Sequence, residues 1–261
     1  MDLNLKGKRA FVGGSSRGIG LAAAIELSKL GAEVVLCGRH VDALAQAVSL
    51  LDEGQGQHHE FLVADFSDPD EVYRKALIVA GERPVHILVN NTGGPPAGPL
   101  VEADTAHFYQ ALRNHLFCNH LLMQAFVPGM KVTGYGRIIN IISTSVKQPI
   151  DGLGVSNTVR GAVANWAKTL ANELGPFGIT VNNVLPGATM TSRLEEIARV
   201  RAQAARTTVD EVFEHWKAEI PLRRIGQPEE VGAAVAFLAT PAAAYINGIN
   251  LPVDGGRTRC L

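Results

Sequence analysis

Short apolar runs alternate with longer stretches of helical periodicity from one end of the chain to the other. The apolar runs have the length of strands, and they lack the strict alternation of a sheet with one wet face. Continuous apolar strands are typical of a parallel sheet that is covered on both faces. These runs predict strands at residues 9–13, 32–37, 61–64, 86–89, 137–142, 179–184 and 249–253.

The stretches between these runs have the apolar spacing of helices. They predict helices at residues 18–30, 41–52, 69–80, 105–130, 153–174 and 228–238. A strand–helix–strand alternation of this kind gives right-handed crossovers and a doubly wound parallel sheet with helices on both faces. We therefore expect an α/β fold of the Rossmann type, with residues 1–261 forming a single domain.

One segment interrupts the alternation. Residues 192–224 follow the sixth predicted strand and are rich in Arg, Glu and Ala. Because open α/β sheets bind ligands at the carboxyl ends of their strands, two short helices in this segment would form a lid over a substrate. A solvated helical pair without such a role explains the composition equally well.

The charge balance and the reactive side chains exclude several classes of partner. The chain carries 24 Lys and Arg against 25 Asp and Glu, which gives a formal net charge of −1. This balance provides no basic field for nucleic acid and no polybasic patch for a membrane surface. The three cysteines are far apart, the histidine pairs lack metal-ligand spacing, and no apolar run has the length of a membrane span. We expect a soluble, cytoplasmic protein without a metal site.

A glycine-rich turn directly follows the first predicted strand and opens the first predicted helix. Glycines allow the main chain to turn tightly and to approach a pyrophosphate, which the free N–H groups of the helix N-terminus bind. The position after a first strand distinguishes this turn from an ordinary glycine-rich loop. It predicts a dinucleotide site that includes Gly14, Ser16, Arg17, Gly18, Ile19 and Gly20.

The spacing of these glycines resembles the short-chain dehydrogenase/reductase family, and further motifs follow in that family's order. They are Asn90-Asn91-Thr92-Gly93 after the fourth strand, Ser143 at the end of the fifth, Pro186-Gly187 after the sixth, and residues 245–248 and 253–256 near the C-terminus. The pattern is most similar to the 3-oxoacyl-acyl-carrier-protein reductases. It covers nearly the whole chain, and it implies a homotetramer or homodimer built on the helices at 105–130 and 153–174.

The residue at the end of the second predicted strand indicates which dinucleotide binds. A site that prefers NAD places an acidic residue there, which binds the ribose hydroxyls and repels a 2′-phosphate. This chain has Arg39 in that region instead, with Arg17 as a second cation in the glycine turn. A guanidinium suits phosphate because its donors lie in one plane. The sequence therefore favours NADP(H) over NAD(H).

The resemblance assigns the rest of the cofactor site to the carboxyl ends of the other strands. Asp65 would contact the adenine, with Phe66 beside it, or Asp65 would cap the following helix. Thr189 and Thr191 would bind the nicotinamide carboxamide, or they would cap a helix. The remaining cofactor residues predicted by the resemblance are Asn91, Gly93, Pro186 and Gly187.

The catalytic motif departs from the family's pattern. In the family, a Tyr protonates the carbonyl, a Lys four residues later binds the nicotinamide ribose, and a Ser and an Asn complete the site. Here Ser156 stands at the Tyr position and Arg160 at the Lys position, while the resemblance assigns the other two roles to Ser143 and Asn114. Residues four apart share one helix face, so both replacements reach the same pocket. We expect His115 to point elsewhere, because adjacent helix residues diverge by about 100°.

These replacements change what the site can do. A serine hydroxyl is a much weaker acid than a phenol, whose pKa of about 10 a nearby cation can lower. Arg160 stays protonated, so it is a poor proton donor, although it can bind ribose hydroxyls or stabilise an oxyanion. The missing ring leaves space for a water or for an anionic substrate group.

Three functions are consistent with this sequence. The first is an NADPH-dependent reductase of a small-molecule carbonyl (a ketone, a quinone or a 3-oxoacyl compound) with an atypical catalytic centre. The second is an NADP(H)-binding protein without turnover, such as a redox sensor or a partner subunit, which explains the loss of the Tyr and the Lys directly. The third is a lyase or isomerase that uses the nucleotide as a scaffold.

Overall fold

A seven-stranded parallel sheet runs through the centre of the molecule, in the order β3-β2-β1-β4-β5-β6-β7. The computed structural model describes residues 1–260, and Leu261, the last residue of the predicted domain, lies outside the described residues. The strands are β1 Arg9–Val12, β2 Glu33–Gly38, β3 Glu60–Val63, β4 Ile87–Asn90, β5 Gly136–Ile141, β6 Ile179–Pro186 and β7 Asn250–Val253. This sheet confirms the doubly wound fold of the Rossmann type.

Helices cover both faces of the sheet. They are α1 Gly18–Lys29, α2 Val41–Val48, α3 Pro69–Glu82, α4 Thr105–Leu112, α5 Cys118–Thr133, α6 Gly154–Leu174, α7 Ser192–Ala205, α8 Val209–Glu219 and α9 Pro228–Ala239. Phe11 and Ile138 pack against α3, α5 and α6 on one face. Val12 and Ile139 pack with α1 and α9 on the other. Since successive strand residues point to opposite faces, two separate cores form around one sheet.

The long helix predicted at residues 105–130 is divided. A π-helical turn at Arg113–Phe117 separates α4 from α5. A π turn holds more residues than an α turn, so it changes which side chains face inward. The apolar spacing of the sequence does not reveal such a turn, and its consequence appears in the candidate site.

Four asparagines form a chain of hydrogen bonds across strands β4 to β7, which we call the asparagine ladder. Asn90 donates to Asn140 at 2.8 Å, Asn140 to Asn183 at 2.9 Å, and Asn183 to Asn250 at 2.9 Å. These residues are also register partners in the sheet. Because a buried amide without a partner is costly, the ladder fixes the register of β4 to β7.

The segment at residues 192–224 contains the two short helices that its composition predicts, α7 and α8. They pack on each other through a small cluster of buried apolar side chains: Ala198, Ala202, Val212 and Trp216. A capping box formed by Thr208 and Glu211 begins α8. Within residues 1–260, no helix combines the length and the apolar character needed to cross a membrane.

Candidate active site

The glycine turn lies between β1 and α1, where the strand order reverses at the β1–β4 boundary. A Cβ on Gly20 would lie 2.4 Å from the main-chain oxygen of Gly14, and Gly14 itself has a left-handed φ of 54°. Helix α1 has no side-chain cap and no acidic residue in its first turn. Its first N–H groups therefore remain free for a diphosphate, and the glycines let that diphosphate approach the main chain closely.

The other residues of the turn lie where a dinucleotide site needs them. Ile19 packs into the core below the turn. The Ser16 hydroxyl oxygen lies 3.8 Å from the position of a Cβ on Gly38, the last residue of β2. Arg17 and Arg39 are both exposed, and neither forms an ion pair with a carboxylate of residues 1–260. These two guanidinium groups remain available to an external phosphate.

The structure gives the helix-capping role that was considered for Asp65 to another residue. The Asp65 carboxylate accepts a hydrogen bond from the Ser67 N–H at 2.9 Å, within the turn after β3. Helix α3 is capped instead by Asp68, which accepts from the Glu71 N–H at 3.1 Å. The helix-capping role therefore belongs to Asp68, and Asp65 stays partly exposed at the edge of the sheet.

Phe66 and Asn91 support the glycine turn from below. The Phe66 ring is buried, and its Cζ lies 3.0 Å from the position of a Cβ on Gly13. The Asn91 side-chain amide donates to the main-chain oxygens of Gly13 and Gly14, both at 3.1 Å. The Asn91 side chain thus holds the turn in place, and Gly93 beyond it is exposed.

The turn after β6 also requires a glycine. Pro186 ends β6, and a Cβ on Gly187 would lie 2.6 Å from the Cβ of Asp254. Thr189 is buried, and its hydroxyl donates to the Gly187 carbonyl at 3.2 Å. The C-terminal segment therefore packs closely against the turn that the family places beside the nicotinamide.

Thr191 caps a helix, the alternative that the sequence left open for it. Its hydroxyl accepts from the Leu194 N–H at 3.3 Å and forms the N-cap of α7. Its methyl group lies 3.5 Å from the position of a Cβ on Gly18. This contact places the start of α7 directly against the glycine turn.

Arg160 lies at the centre of the catalytic side, with only 8% of its surface exposed. Its Nη1 donates to the Ile141 carbonyl at 2.9 Å, and its Nε has no hydrogen-bond partner within residues 1–260. Burial, with a smaller contribution from Arg193, lowers the pKa of Arg160 to about 10. Ser156 lies one helical turn earlier on α6 and is partly exposed.

Ser143 directly follows the strand that Arg160 contacts. Its hydroxyl accepts a hydrogen bond from the Ser145 N–H at 3.1 Å, so its position is fixed by the short helical turn at Thr144–Val146. The Ser143 hydroxyl is partly exposed at the edge of the sheet. The structure therefore brings Ser143, Ser156 and Arg160 to one region.

His115 faces this region, contrary to the expectation that it points elsewhere. It is 3% exposed. Burial, and then the charge of Arg160, hold its pKa well below the ordinary value of 6.5. Its Nε2 has no partner among the described residues. The π turn is the physical reason, because it rotates His115 inward.

The structure does not bring the Asn114 side chain into a hydrogen bond with Ser143, Ser156 or Arg160. The Asn114 amide faces the Phe66 carbonyl at 2.9 Å and the Gln110 side chain at 2.6 Å. Asn114 is thus bonded to the loop after β3 and to its own helix. The catalytic role of Asn114 therefore stays a prediction, and the neighbouring His115 is the buried residue of this turn.

Comparisons with known proteins agree with this geometry. The family model described as enoyl-(acyl carrier protein) reductase matches residues 14–258. The gluconate 5-dehydrogenase of Gluconobacter oxydans is 34% identical over 257 residues, covering 98% of this chain and 96% of the relative. A 3-oxoacyl-[acyl-carrier-protein] reductase of Pseudomonas aeruginosa is 32% identical, covering 97% of this chain and 98% of the relative.

The chain belongs to the short-chain dehydrogenase/reductase family. A solved member, L-sorbose reductase from Gluconobacter frateurii complexed with NADPH and L-sorbose, superposes with a TM-score of 0.92. It is 30% identical, and the match covers 100% of both chains. This short-chain dehydrogenase/reductase carries a glycine turn after β1, and it carries Ser156 and Arg160 one helical turn apart on α6.

Sequence reasoning missed two residues of this site, His115 and Arg193. His115 gave no usable signal, since the π turn cannot be read from apolar spacing. Arg193 did give one, because it lies in the first turn of α7, where the helix dipole disfavours a cation. A cation at such a position indicates that something other than helix stability selects it.

Proposed function

We propose that this chain is an NADPH-dependent reductase of a small-molecule carbonyl, with an atypical catalytic centre. The observation that carries the proposal is the pairing of two features on one sheet edge. The glycine turn leads into α1, whose N-terminus has no side-chain cap and fits a diphosphate. Beside it lies a buried arginine, Arg160, with no carboxylate partner within residues 1–260. The names of the relatives, a gluconate dehydrogenase, a 3-oxoacyl reductase and a sorbose reductase, support carbonyl–alcohol interconversion.

The cofactor side accounts for each part of NADPH. The glycine turn and the N-terminus of α1 bind the pyrophosphate, while Arg17 and Arg39 bind the 2′-phosphate. Asp65 lies at the adenine end, and the turn at Pro186-Gly187 with Thr189 lies at the nicotinamide end. When bound, NADPH supplies the hydride for the substrate carbon. The remaining supporting residues are Ser16, Ile19, Phe66, Asn91, Gly93 and Thr191.

The catalytic side holds the oxygen of the substrate carbonyl. The hydroxyls of Ser143 and Ser156 donate hydrogen bonds to that oxygen, and Arg160 stabilises the negative charge that develops on it. Because Arg160 is buried, its charge acts through a medium of low dielectric constant and is screened weakly. Its other donors remain free to bind the nicotinamide ribose, as the family's Lys does.

The proton comes from water rather than from a side chain of the family's usual type. Ser156 is too weak an acid to supply it, and burial keeps the His115 ring neutral. The free Nε2 of His115 accepts a hydrogen bond from a water that fills the space of the absent tyrosine ring. That water passes its proton to the substrate oxygen and draws a replacement from solvent.

Two larger-scale features complete the proposal. Residues 1–261 act as a single domain, in which the segment at 192–224 forms a lid that closes over the substrate. The protein assembles as a homodimer or homotetramer through the helices that flank the catalytic side. Chromatography with light scattering tests the second statement, and a monomer at micromolar concentration contradicts it.

One experiment tests the activity directly. NADPH is titrated into the protein by fluorescence, and its oxidation is then followed by absorbance with a panel of ketones, quinones and 3-oxoacyl thioesters. We expect tight binding and oxidation with at least one of these classes. Tight binding with no oxidation on any substrate would instead support an NADP(H)-binding protein without turnover.

A double variant provides the matched control for the catalytic centre. Ser156→Tyr with Arg160→Lys restores the family's pair on the same helix face. We expect the native protein to turn over its substrate and the double variant to change the rate and its pH dependence. Activity that appears only in the double variant would show that Ser156 and Arg160 do not perform the chemistry.

A further inference from the structure

A second arginine, Arg193, approaches Arg160 across Gly94. A Cβ on Gly94 would lie 3.8 Å from Nη2 of Arg160 and 3.8 Å from Nη2 of Arg193. Arg160 reaches this point from α6, and Arg193 reaches it from the first turn of α7. Because Gly94 has no side chain, both guanidinium groups face the same open space at the catalytic side.

This pair of cations is incompletely neutralised by the protein. Arg160 has no carboxylate partner among residues 1–260, and its Nε is unpaired. Arg193 contacts the Pro95 carbonyl and the exposed carboxylate of Glu196 at 3.0 Å. Two like charges at close range are unfavourable, and so is a cation in the first turn of a helix. An anion from outside the chain would offset both the repulsion between the two arginines and the unfavourable charge at the start of α7.

We infer that Arg160 and Arg193 bind a carboxylate of the substrate, so that the substrate is a short oxo acid. The inference rests on the proposed function and names the substrate class of that site. Guanidinium groups bind carboxylates through two parallel hydrogen bonds, which gives both affinity and orientation. A carboxylate held beside Gly94 presents a neighbouring ketone to Ser143 and Ser156.

The cofactor phosphates do not account for Arg193. Thr191 at the start of α7 contacts the glycine turn, but the Arg193 guanidinium is turned away from that turn toward Gly94 and Pro95. The phosphates have their own donors in the uncapped α1 and in the exposed Arg17 and Arg39. The space beside Gly94 adjoins Arg160, where the reacting carbonyl lies.

Matched pairs of substrates test the inference. The probes are straight-chain oxo acids, with the ketone moved one carbon at a time from the carboxylate, and their methyl esters. We expect the best acid to exceed its ester in kcat/KM by at least about tenfold, the usual gain from a hydrogen bond between charged groups. Acids and esters that react equally well would overturn the inference.

A variant of Arg193 then assigns the effect to this side chain. Arg193→Gln should lower kcat/KM for the acid by about tenfold to hundredfold and leave the ester unchanged. The matched control is Arg199→Gln, an exposed arginine on the same helix that pairs with Glu195. Equal losses in the two variants, or a loss of NADPH affinity as large as the loss for the acid, would contradict the inference.

Binding without turnover separates this inference from the proposed function. The acids are titrated calorimetrically into the complex of the protein with NADP⁺, and Gly94→Leu is measured in parallel. The leucine should fill the space between the guanidinium groups and weaken binding of the acid about tenfold or more, with NADPH affinity retained. Saturable binding without any NADPH oxidation would refute the reductase but keep the carboxylate site. Oxidation of NADPH with neutral ketones, without binding of the acids, would refute the carboxylate site but keep the reductase.

Discussion

The two sides of the proposed active site differ in what their residues must provide. On the cofactor side, the glycine turn after β1 and the turn after β6 require glycine, because a Cβ at Gly20 or Gly187 would collide with neighbouring atoms at 2.4 Å or 2.6 Å. On the catalytic side, we propose that Ser156 and Arg160 replace the family's Tyr and Lys. The first side depends on main-chain geometry, whereas the second depends on the chemistry of side chains.

This difference explains how one side changes while the other stays fixed. A collision with the main chain has one remedy, which is a residue without a side chain. A developing charge can be stabilised by several kinds of group, because a guanidinium, hydroxyls and a bound water can replace a phenol and an ammonium. Cofactor binding and catalysis are therefore separable properties of this fold, and the predictions below test each side by itself.

The largest effect is expected from Gly20→Ala on the cofactor side. The new Cβ would lie 2.4 Å from the Gly14 oxygen, so the turn must shift away from the position that binds the diphosphate. We expect NADPH affinity to fall at least about hundredfold, or about 2.7 kcal/mol. A fluorescence titration measures this, and circular dichroism shows whether the fold is retained.

The matched control for this variant is Gly81→Ala. Gly81 lies in α3, and a Cβ there would meet nothing within 4 Å. The alanine should leave NADPH affinity unchanged and slightly stabilise the helix. Equal NADPH affinities in the two variants would show that the turn does not depend on close approach of the main chain.

The sequence predicted the fold well because each strand and helix carries its own local signal. Apolar runs and glycines after the strands located all seven strands, and the helix ends differ from the predictions by a few residues. The π turn at Arg113–Phe117 left no such signal. It depends on packing around His115, which the order of residues alone does not show.

The candidate site could be predicted only in part, for the same reason. Residues fixed by main-chain geometry, such as Gly14 and Gly187, follow from motifs in the sequence. The approach of Arg193 to Arg160 depends on how α7 packs against the loop after β4, and these segments are far apart in sequence. The asparagine ladder likewise depends on strand register, which could not be read from the sequence.

The second prediction concerns the asparagine ladder, which spans the catalytic side of the sheet but not β1, β2 or β3. Asn140→Leu removes its middle member and leaves Asn90 and Asn183 without that partner. We expect the free energy of unfolding to fall by about 2–4 kcal/mol, since each buried amide loses a hydrogen bond. Urea denaturation measures this loss.

The control for the ladder is Gln46→Leu on the exposed face of α2, away from the helices of the proposed assembly. This variant should stay within about 0.5 kcal/mol of the native protein. The folded Asn140→Leu protein should still bind NADPH, because the glycine turn that binds the diphosphate follows β1, which is outside the ladder. A loss of binding in folded protein would show that the two sides are not separable.

The third prediction concerns the choice of cofactor. Arg39 is exposed directly after β2 and pairs with no carboxylate of residues 1–260, and Arg39→Asp replaces a cation with a carboxylate that repels a 2′-phosphate. NADPH affinity should fall about tenfold to hundredfold, the range for one charged hydrogen bond, and NADH should become the preferred cofactor. Arg199→Asp makes the same change in charge on α7 and should leave the preference intact. An unchanged preference in Arg39→Asp would mean that Arg39 does not select the cofactor.

The smallest effect is a pH dependence of stability on the catalytic side. Burial holds the pKa of His115 well below 6.5 in the folded protein, so only the unfolded chain takes up that proton as the pH falls below 6.5. The native protein therefore loses stability on acidification, and His115→Gln should lose about 1.4 kcal/mol less between about pH 7.5 and about pH 5.5. Urea denaturation at the two pH values measures the difference. The exposed His58→Gln should keep the native dependence, and a His115→Gln protein with the same dependence would mean that His115 is not held neutral beside Arg160.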